Sequence, residues 1–312
     1  MRKNFSFKLT GKDLLGLYIL FLLFYIIPLT YFMLIGNKQN EEPNPIYILV
    51  YFIFLILSSI AVYLLITPLL KKVLGGIFID EDKVVYQGKM SKFFWLNIGG
   101  NILSMITFGI YAPWYVKKAY KYILSNTNFK NKHFSFDGKA SILLAIVVLS
   151  LFIPMIILMI LVTVVFKFDT TSIKYQLVMQ PTMYLIMIPY LYLTYKWLAN
   201  IEHGNKTIRW RTTFFSSCKV LYKEWLFALL TIGIYSPIAW ANIYRYFIRN
   251  TVIETEGQII YNLDTSIENR IIFIQTWKYF FLTLLTIGFY TPWAYVNLTK
   301  LYLNNSYIQK QK

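Results

Sequence analysis

The chain has 312 residues, 57% of them hydrophobic, 19% aromatic and 14% charged, with a formal net charge of +17. A soluble globular domain carries roughly 25% charged residues, so this composition excludes one and describes an integral membrane protein. The single cysteine, Cys218, excludes an internal disulfide, and two histidines, His133 and His203, are too few for a histidine-rich metal site.

The basic opening MRKNFSFKLTGK leads into an apolar run from Leu14 to Ile35. That run is too long for the hydrophobic region of a signal peptide and lacks a small-residue cleavage site, so a retained first helix is expected. Three further runs without acidic or basic side chains, Ile46 to Leu70, Ser141 to Phe166 and Leu177 to Tyr195, each approach the ~20 residues that cross a bilayer core. The connectors NKQNEEPNP and VFKFDTTSIKYQ read as short turns, which gives two transmembrane hairpins.

Between and after these runs one segment occurs three times: TFGIYAPW (Thr107 to Trp114), TIGIYSPI (Thr231 to Ile238) and TIGFYTPW (Thr286 to Trp293). Twelve residues beyond each glycine stands a base (Lys121, Arg245, Lys300), and seventeen beyond it an asparagine followed by a hydroxyl residue (Asn126, Asn250, Asn305). Similar lead-ins, FSFKLTGK at Phe5 and FSFDGK at Phe134, precede the two hairpins. The pattern predicts a tandem arrangement of residues 1–129, 130–255 and 256–312, the last without a hairpin of its own.

Glycine commonly ends a helix in the left-handed conformation, and proline favours the first turn of a new one. Gly109, Gly233 and Gly288 with Pro113, Pro237 and Pro292 therefore predict a helix, a corner and a second helix running to about Asn126, Asn250 and Asn305. Ser236 and Thr291 are expected N-caps, and Ala112 is a poor one. Locally, a single crossing helix kinked at proline fits as well. Charge placement separates the two. Seven single crossings would divide the 31 bases almost evenly, whereas two crossing hairpins and three segments that return leave only Lys38, Lys167 and Lys174 outside, 31 − 3 = 28 being cytoplasmic. The midpoints between flanking bases, Ile234 and Phe289, fall inside the corners, so legs of about ten residues should reach roughly 15 Å into the bilayer. The expected fold is all-α: a polytopic helical membrane protein with two transmembrane hairpins, three broken re-entrant or interfacial segments, and a cytoplasmic N-terminus.

The TxGxYxPW corner, the downstream Asn-Thr and the FxFxG lead-in resemble the YjgN-like family of bacterial inner-membrane proteins, a domain of unknown function. The resemblance covers nearly the whole chain. It implies a polytopic protein of a bacterial cytoplasmic membrane and supplies no substrate, cofactor or catalytic residue. Ile238 departs from it, standing where the other copies have Trp114 and Trp293.

No catalytic motif, cofactor motif or metal-ligand spacing surrounds the acidic residues, such as Asp80, Glu81, Asp82, Glu254 and Glu256, which read as solvated loop positions, so an enzyme is not expected. Broken helices suit transporters, but the four apolar runs lack the ionisable groups that ion-coupled transport uses at midplane. Asn97, Asn101 and Ser104 share one helical face; they either line a polar path or bond neighbouring helices. The corner tyrosines Tyr111, Tyr235 and Tyr290 likewise either bind a ligand or anchor the corner. The basic face is expected to attract anionic lipid on the cytoplasmic side, not nucleic acid. The expected function is a transport-like or lipid-facing membrane protein, or a scaffold that engages lipid or a protein through that face.

Overall fold

A computed structural model describes residues 2–36, 45–165 and 173–311. Most of the two connectors expected as turns, with the outward positions of Lys38 and Lys167, lies outside the described residues, while Ile173 to Gln176 of the second is helical. Strand β1 (Arg2–Phe7) leads to helix α1 (residues 11–36), which holds a π-helical turn at Leu22–Ile26, and α2 (Pro45–Gly75) follows. Next come β2 (Ile77–Ile79), β3 (Asp82–Lys83), β4 (Val85–Tyr86), α3 (Met90–Ile106) and α4 (Ala112–Ser125). β5 (Thr127–Phe129) and β6 (Lys132–Phe136) precede α5 (residues 140–165), with a second π-helical turn at Val147–Phe152, and α6 (Ile173–Leu198). β7 (Ile201–His203), β8 (Lys206–Trp210), α7 (Phe214–Leu230) and α8 (Ser236–Arg249) come next. β9 (Thr251–Thr255), β10 (Gln258–Thr265), α9 (Asn269–Leu285), α10 (Thr291–Leu303) and β11 (Ser306–Lys310) complete the order.

The all-α expectation is wrong. Eleven strands form one antiparallel sheet in the order β3-β2-β1-β11-β10-β9-β8-β7-β6-β5-β4. Only Val84 separates β3, paired with β2, from β4, paired with β5, so the sheet bends into a nearly closed barrel. The strands follow period-two alternation. Phe5, Ile79, Phe134, Ile208, Leu263 and Ile308 share one face with their paired neighbours, while Asn4, Ser135, Glu202, Glu254 and Asn262 take the other. Two-residue turns with left-handed residues reverse the chain, Lys130 and Asn131 in one and Glu256 and Gly257 in another, as tight hairpins require. Of the acidic positions expected in loops, Asp80, Glu81 and Glu256 lie in turns between strands, whereas Asp82 is in β3 and Glu254 is a buried residue of β9 that accepts from Arg211 at 2.8 Å.

Each helical hairpin springs from two paired strands: α1–α2 from β1 and β2, α3–α4 from β4 and β5, α5–α6 from β6 and β7, α7–α8 from β8 and β9, and α9–α10 from β10 and β11. A broken segment therefore begins and ends at one rim of the barrel, which excludes the kinked single crossing. The rim is tied by one backbone bond per hairpin. The amides of Lys8, Gln87, Asp137, Arg211 and Ser266 donate to the carbonyls of Gly76, Asn126, Asn200, Asn250 and Asn305, at 2.8–3.4 Å. The second helix of each pair contacts the first helix of the next, and α10 contacts α1, so the hairpins form a ring above the barrel.

Four helical stretches, Gly11–Tyr31, Ile48–Gly75, Ala140–Val165 and Ile173–Leu198, are long and apolar enough to cross a membrane. The first legs of the broken pairs, α3, α7 and α9, have 17 residues each, and the second legs 13 or 14. At 1.5 Å per residue the first legs are about 25 Å long, against the ten-residue legs expected from charge spacing. The reason is that Lys219, Lys223 and Lys278 lie on the legs themselves. Buried clusters join helices to the rim: Phe7 and Leu14 with Val296, Phe136 and Leu143 with Trp197, and Ala241 with Ile267 and Ile272.

On the outer barrel surface, burial acts to raise the Asp264 carboxyl. Hydrogen bonds from Arg249 at 2.7 Å, the Thr265 amide and the Tyr307 hydroxyl outweigh it and hold the group below its ordinary value of 3.8. A lowered folded-state pKa contributes stability that is present above the unfolded value and lost as pH falls through the folded one. Urea unfolding should therefore show wild type losing more stability than Asp264→Asn when the pH drops from neutral to below 3.8. Equal losses would mean that this carboxylate contributes nothing to the seam between β10 and β11.

Candidate functional site

The three corners are built from identical bonds. In each, two consecutive residues are left-handed: Phe108 and Gly109, Ile232 and Gly233, Ile287 and Gly288, with φ between 49° and 86°. The glycine amide donates at 2.7 Å to the carbonyl five residues back, at Ser104, Ala228 or Thr283, the long bond of a Schellman ending. The corner threonine explains its place in the motif. Its Oγ1 accepts from the amide of Tyr111, Tyr235 or Tyr290 at 3.0 Å and donates to the carbonyl four residues back at 2.8 Å.

Two expectations change. The glycine is left-handed as expected but not alone, because the large apolar residue before it is left-handed too. Ser236 and Thr291 are not N-caps but the first helical residues. Tyr235 and Tyr290 occupy the cap without a side-chain bond, Pro237 and Pro292 follow in the first turn, and Pro113 is placed alike behind Tyr111. The Thr291 hydroxyl donates to the Gly288 carbonyl. The residues Phe108, Ile232 and Ile287 at the apices are 96%, 93% and 97% exposed.

The corner tyrosines contact their own hairpins. Lys118 donates to Tyr111 at 2.8 Å, and Tyr111 and Tyr290 stack on Trp114 and Trp293. Tyr235 donates at 3.0 Å to Glu224, which also accepts from Asn242 at 3.1 Å. Glu224 is 4% exposed, and sequence reasoning missed it. Asn242 accepts from Arg245, whose other nitrogen donates to Asn269 and the Ile267 carbonyl, so the network joins two hairpins. The only signal was the pairing of an acid with a tyrosine eleven residues on, too common to single out.

Asn97, Asn101 and Ser104 do share one face of α3. Buried Asn97 donates to the Phe93 carbonyl and accepts from the Tyr115 hydroxyl at 2.6 Å. Asn101 donates to Tyr63 of α2 and to the Asn97 carbonyl, and Ser104 to the Gly100 carbonyl. Gly100 permits this approach, because a Cβ there would lie 2.0 Å from the Tyr115 ring.

The largest structural feature that sequence reasoning missed is the barrel lumen, a cavity of about 600 Å³. Apolar inward side chains of the strands line it, and Leu74, Tyr120, Ile123 and Leu124 close the helical end. At the turn end stand Lys3, Lys130, Lys132, Lys206, His203 and Asn205. Lys130 pairs with Asp82 at 2.6 Å, whose hydrogen bond raises the ammonium above its ordinary value, and Lys206 lies 5.0 Å from the Tyr261 ring. His203 Nε2 is 3.0 Å from the Phe129 carbonyl. Among the described residues no group of three His, Cys, Asp or Glu side chains is placed to hold a metal ion.

A family model described as a bacterial protein of unknown function, DUF898, matches residues 83–259, more than half of the chain. No curated protein and no solved structure matches it.

Replacing Asn97 with Leu removes both bonds that tie α3 to its own turn and to α4. Thermal unfolding of the purified protein should show a loss of roughly 0.6–2 kcal/mol, the range for interhelical polar bonds in membranes, and Tyr115→Phe should reproduce part of it. A variant as stable as wild type would assign these groups to something other than packing.

Proposed function

The chain belongs to DUF898, a family of bacterial proteins of unknown function, and we propose that it is a multi-pass, non-catalytic, lipid-facing protein of the cytoplasmic membrane. In this reading α1–α2 and α5–α6 cross the bilayer. The three broken hairpins enter the cytoplasmic leaflet and return, and the barrel lies beneath with the N-terminus inside. Identical bonding at the three corners supports descent from a duplicated unit.

The observation that carries the reading is the set of exposed apices, Phe108, Ile232 and Ile287. A left-handed non-glycine residue costs roughly 1–2 kcal/mol, and bulky or β-branched residues are rare there. In water such a side chain would gain nothing for that strain. Among acyl chains its transfer is worth about 1.5–3 kcal/mol, enough to offset it. Charge supports the same orientation: the bases at the barrel and on the lower legs face the side where anionic headgroups contribute about 1 kcal/mol per nearby base.

Single cysteines at positions 108, 232 and 287, in a Cys218→Ser background, test this in vesicles containing anionic lipid. A fluorophore at each should be quenched by lipids carrying a quencher within their chains and spared by aqueous iodide, and none should be labelled from outside intact cells. Iodide quenching at all three, or outside labelling, would overturn the re-entrant assignment.

A further inference from the structure

The inward apolar side chains of the barrel, such as Phe5, Phe134, Ile208, Ile253, Leu263 and Ile308, point away from bulk solvent yet are only half-buried. Their exposure is to the lumen. A barrel of eight strands is just wide enough for its side chains to fill; this wall has eleven strands and leaves a cavity of about 600 Å³ between its inward residues. A cavity lined by hydrocarbon is an expensive place for water, which needs two to four polar partners. The two hydroxyls of its lining near the helical end are already bonded, Thr127 to the Ile123 carbonyl at 2.8 Å and Tyr120 to the Leu198 carbonyl at 3.2 Å. Nothing at that depth recognises a sugar, a nucleotide base or any other polar solute.

The turn end has the opposite chemistry. Lys3, Lys132 and Lys206 stand there with Lys130 and His203, and no carboxylate belongs to the lining. Among the described residues the only acid in an ion pair with a lining lysine, Asp82, engages Lys130. We propose that the lumen binds a single-chain anionic amphiphile, its hydrocarbon tail inside the barrel and its carboxylate or phosphate at the lysine mouth. Volume limits the ligand to one chain. A water occupies about 30 Å³, a methylene takes comparable space, and the cavity of about 600 Å³ therefore accepts one long tail and not the two of a bilayer phospholipid. The site lies in the barrel and does not depend on how deeply the helical hairpins enter the membrane.

The test uses the full chain in lipid nanodiscs, with empty nanodiscs as the blank, titrated with a fluorescent long-chain fatty carboxylate. A chain-matched neutral alcohol and a chain-matched single-chain phospholipid supplied in the bilayer serve as competitors. Saturable binding of one carboxylate per chain is expected, with the alcohol competing on the order of tenfold more weakly. Lys132→Glu with Lys206→Glu should weaken the carboxylate by a similar factor and leave the alcohol unchanged. Ile208→Trp, which fills the lumen, should abolish both; Leu263→Trp is the second blocking variant should the first not fold, as judged by its unfolding midpoint. Competition by the single-chain phospholipid would identify the membrane as the source, and its failure beside carboxylate binding would identify a soluble fatty acid. Equal affinity for carboxylate and alcohol, or unimpaired binding in a folded tryptophan variant, would overturn the proposal.

Discussion

The carbonyl that ends each helical hairpin accepts from the amide that leads into it, from Gly76 and Lys8 at the first to Asn305 and Ser266 at the last. A helix in lipid satisfies its own backbone except at its ends, so these rim groups are where a membrane hairpin most needs partners. Supplying them from the same hairpin brings the strand before it and the strand after it into pairing distance. Five such pairs, joined by tight turns, have no free direction except around a circle. The returning path of the broken segments thus follows from sheet closure, and the corner glycines only make the reversal at the apex sterically possible.

Much of the helical layer was legible in the sequence because glycine, tyrosine and proline punctuate it at fixed spacing. The second legs end within a residue or two of Asn126, Asn250 and Asn305, and the bias of the bases indicated that the segments return. The strands were not read, although FSF at Phe5 and Phe134, IEHGNKTIRW from Ile201 and VIETEGQIIYN from Val252 carry period-two alternation around turn residues. Each run is only two to eight residues long, and a composition dominated by apolar helices drew attention to longer windows. The asparagine and hydroxyl after each second leg were taken as a helix stop. They are that, with Asn126 and Thr127 bonding back to the Tyr122 and Ile123 carbonyls, but the hydroxyl residue is also the first of a strand or next to it. The lumen was illegible for a deeper reason: it exists only once residues from every part of the chain face one another across a nearly closed wall.

The two faces of that wall divide the charge. Outside, Arg211 with Glu254 and Arg249 with Asp264 form ion pairs along the strands. Partly exposed pairs of this kind add little stability, and here they keep the outer face of the barrel polar. Inside, the lysines gather at one end with no matching acids in the lining. The net positive charge of the chain is therefore not spread evenly around the barrel, and its inner share is set apart from the share on the outer surface.

Four of the strand junctions are tight turns, and the fifth is a non-covalent seam where β1 lies antiparallel to β11, Arg2 opposite Gln309. Among the described elements β1 is the first in chain order and its partner β11 the last. Until β11 arrives, β1 and β10 each keep an unpaired edge in addition to those on β3 and β4, the kind of edge that recruits foreign strands. The long apolar helices α1 and α2 are joined to the first edge. Closure is then a zipping step between the first strand and the last, and linking the two seam ends while cutting at the Gly204–Asn205 turn would move that vulnerable edge without altering any pairing.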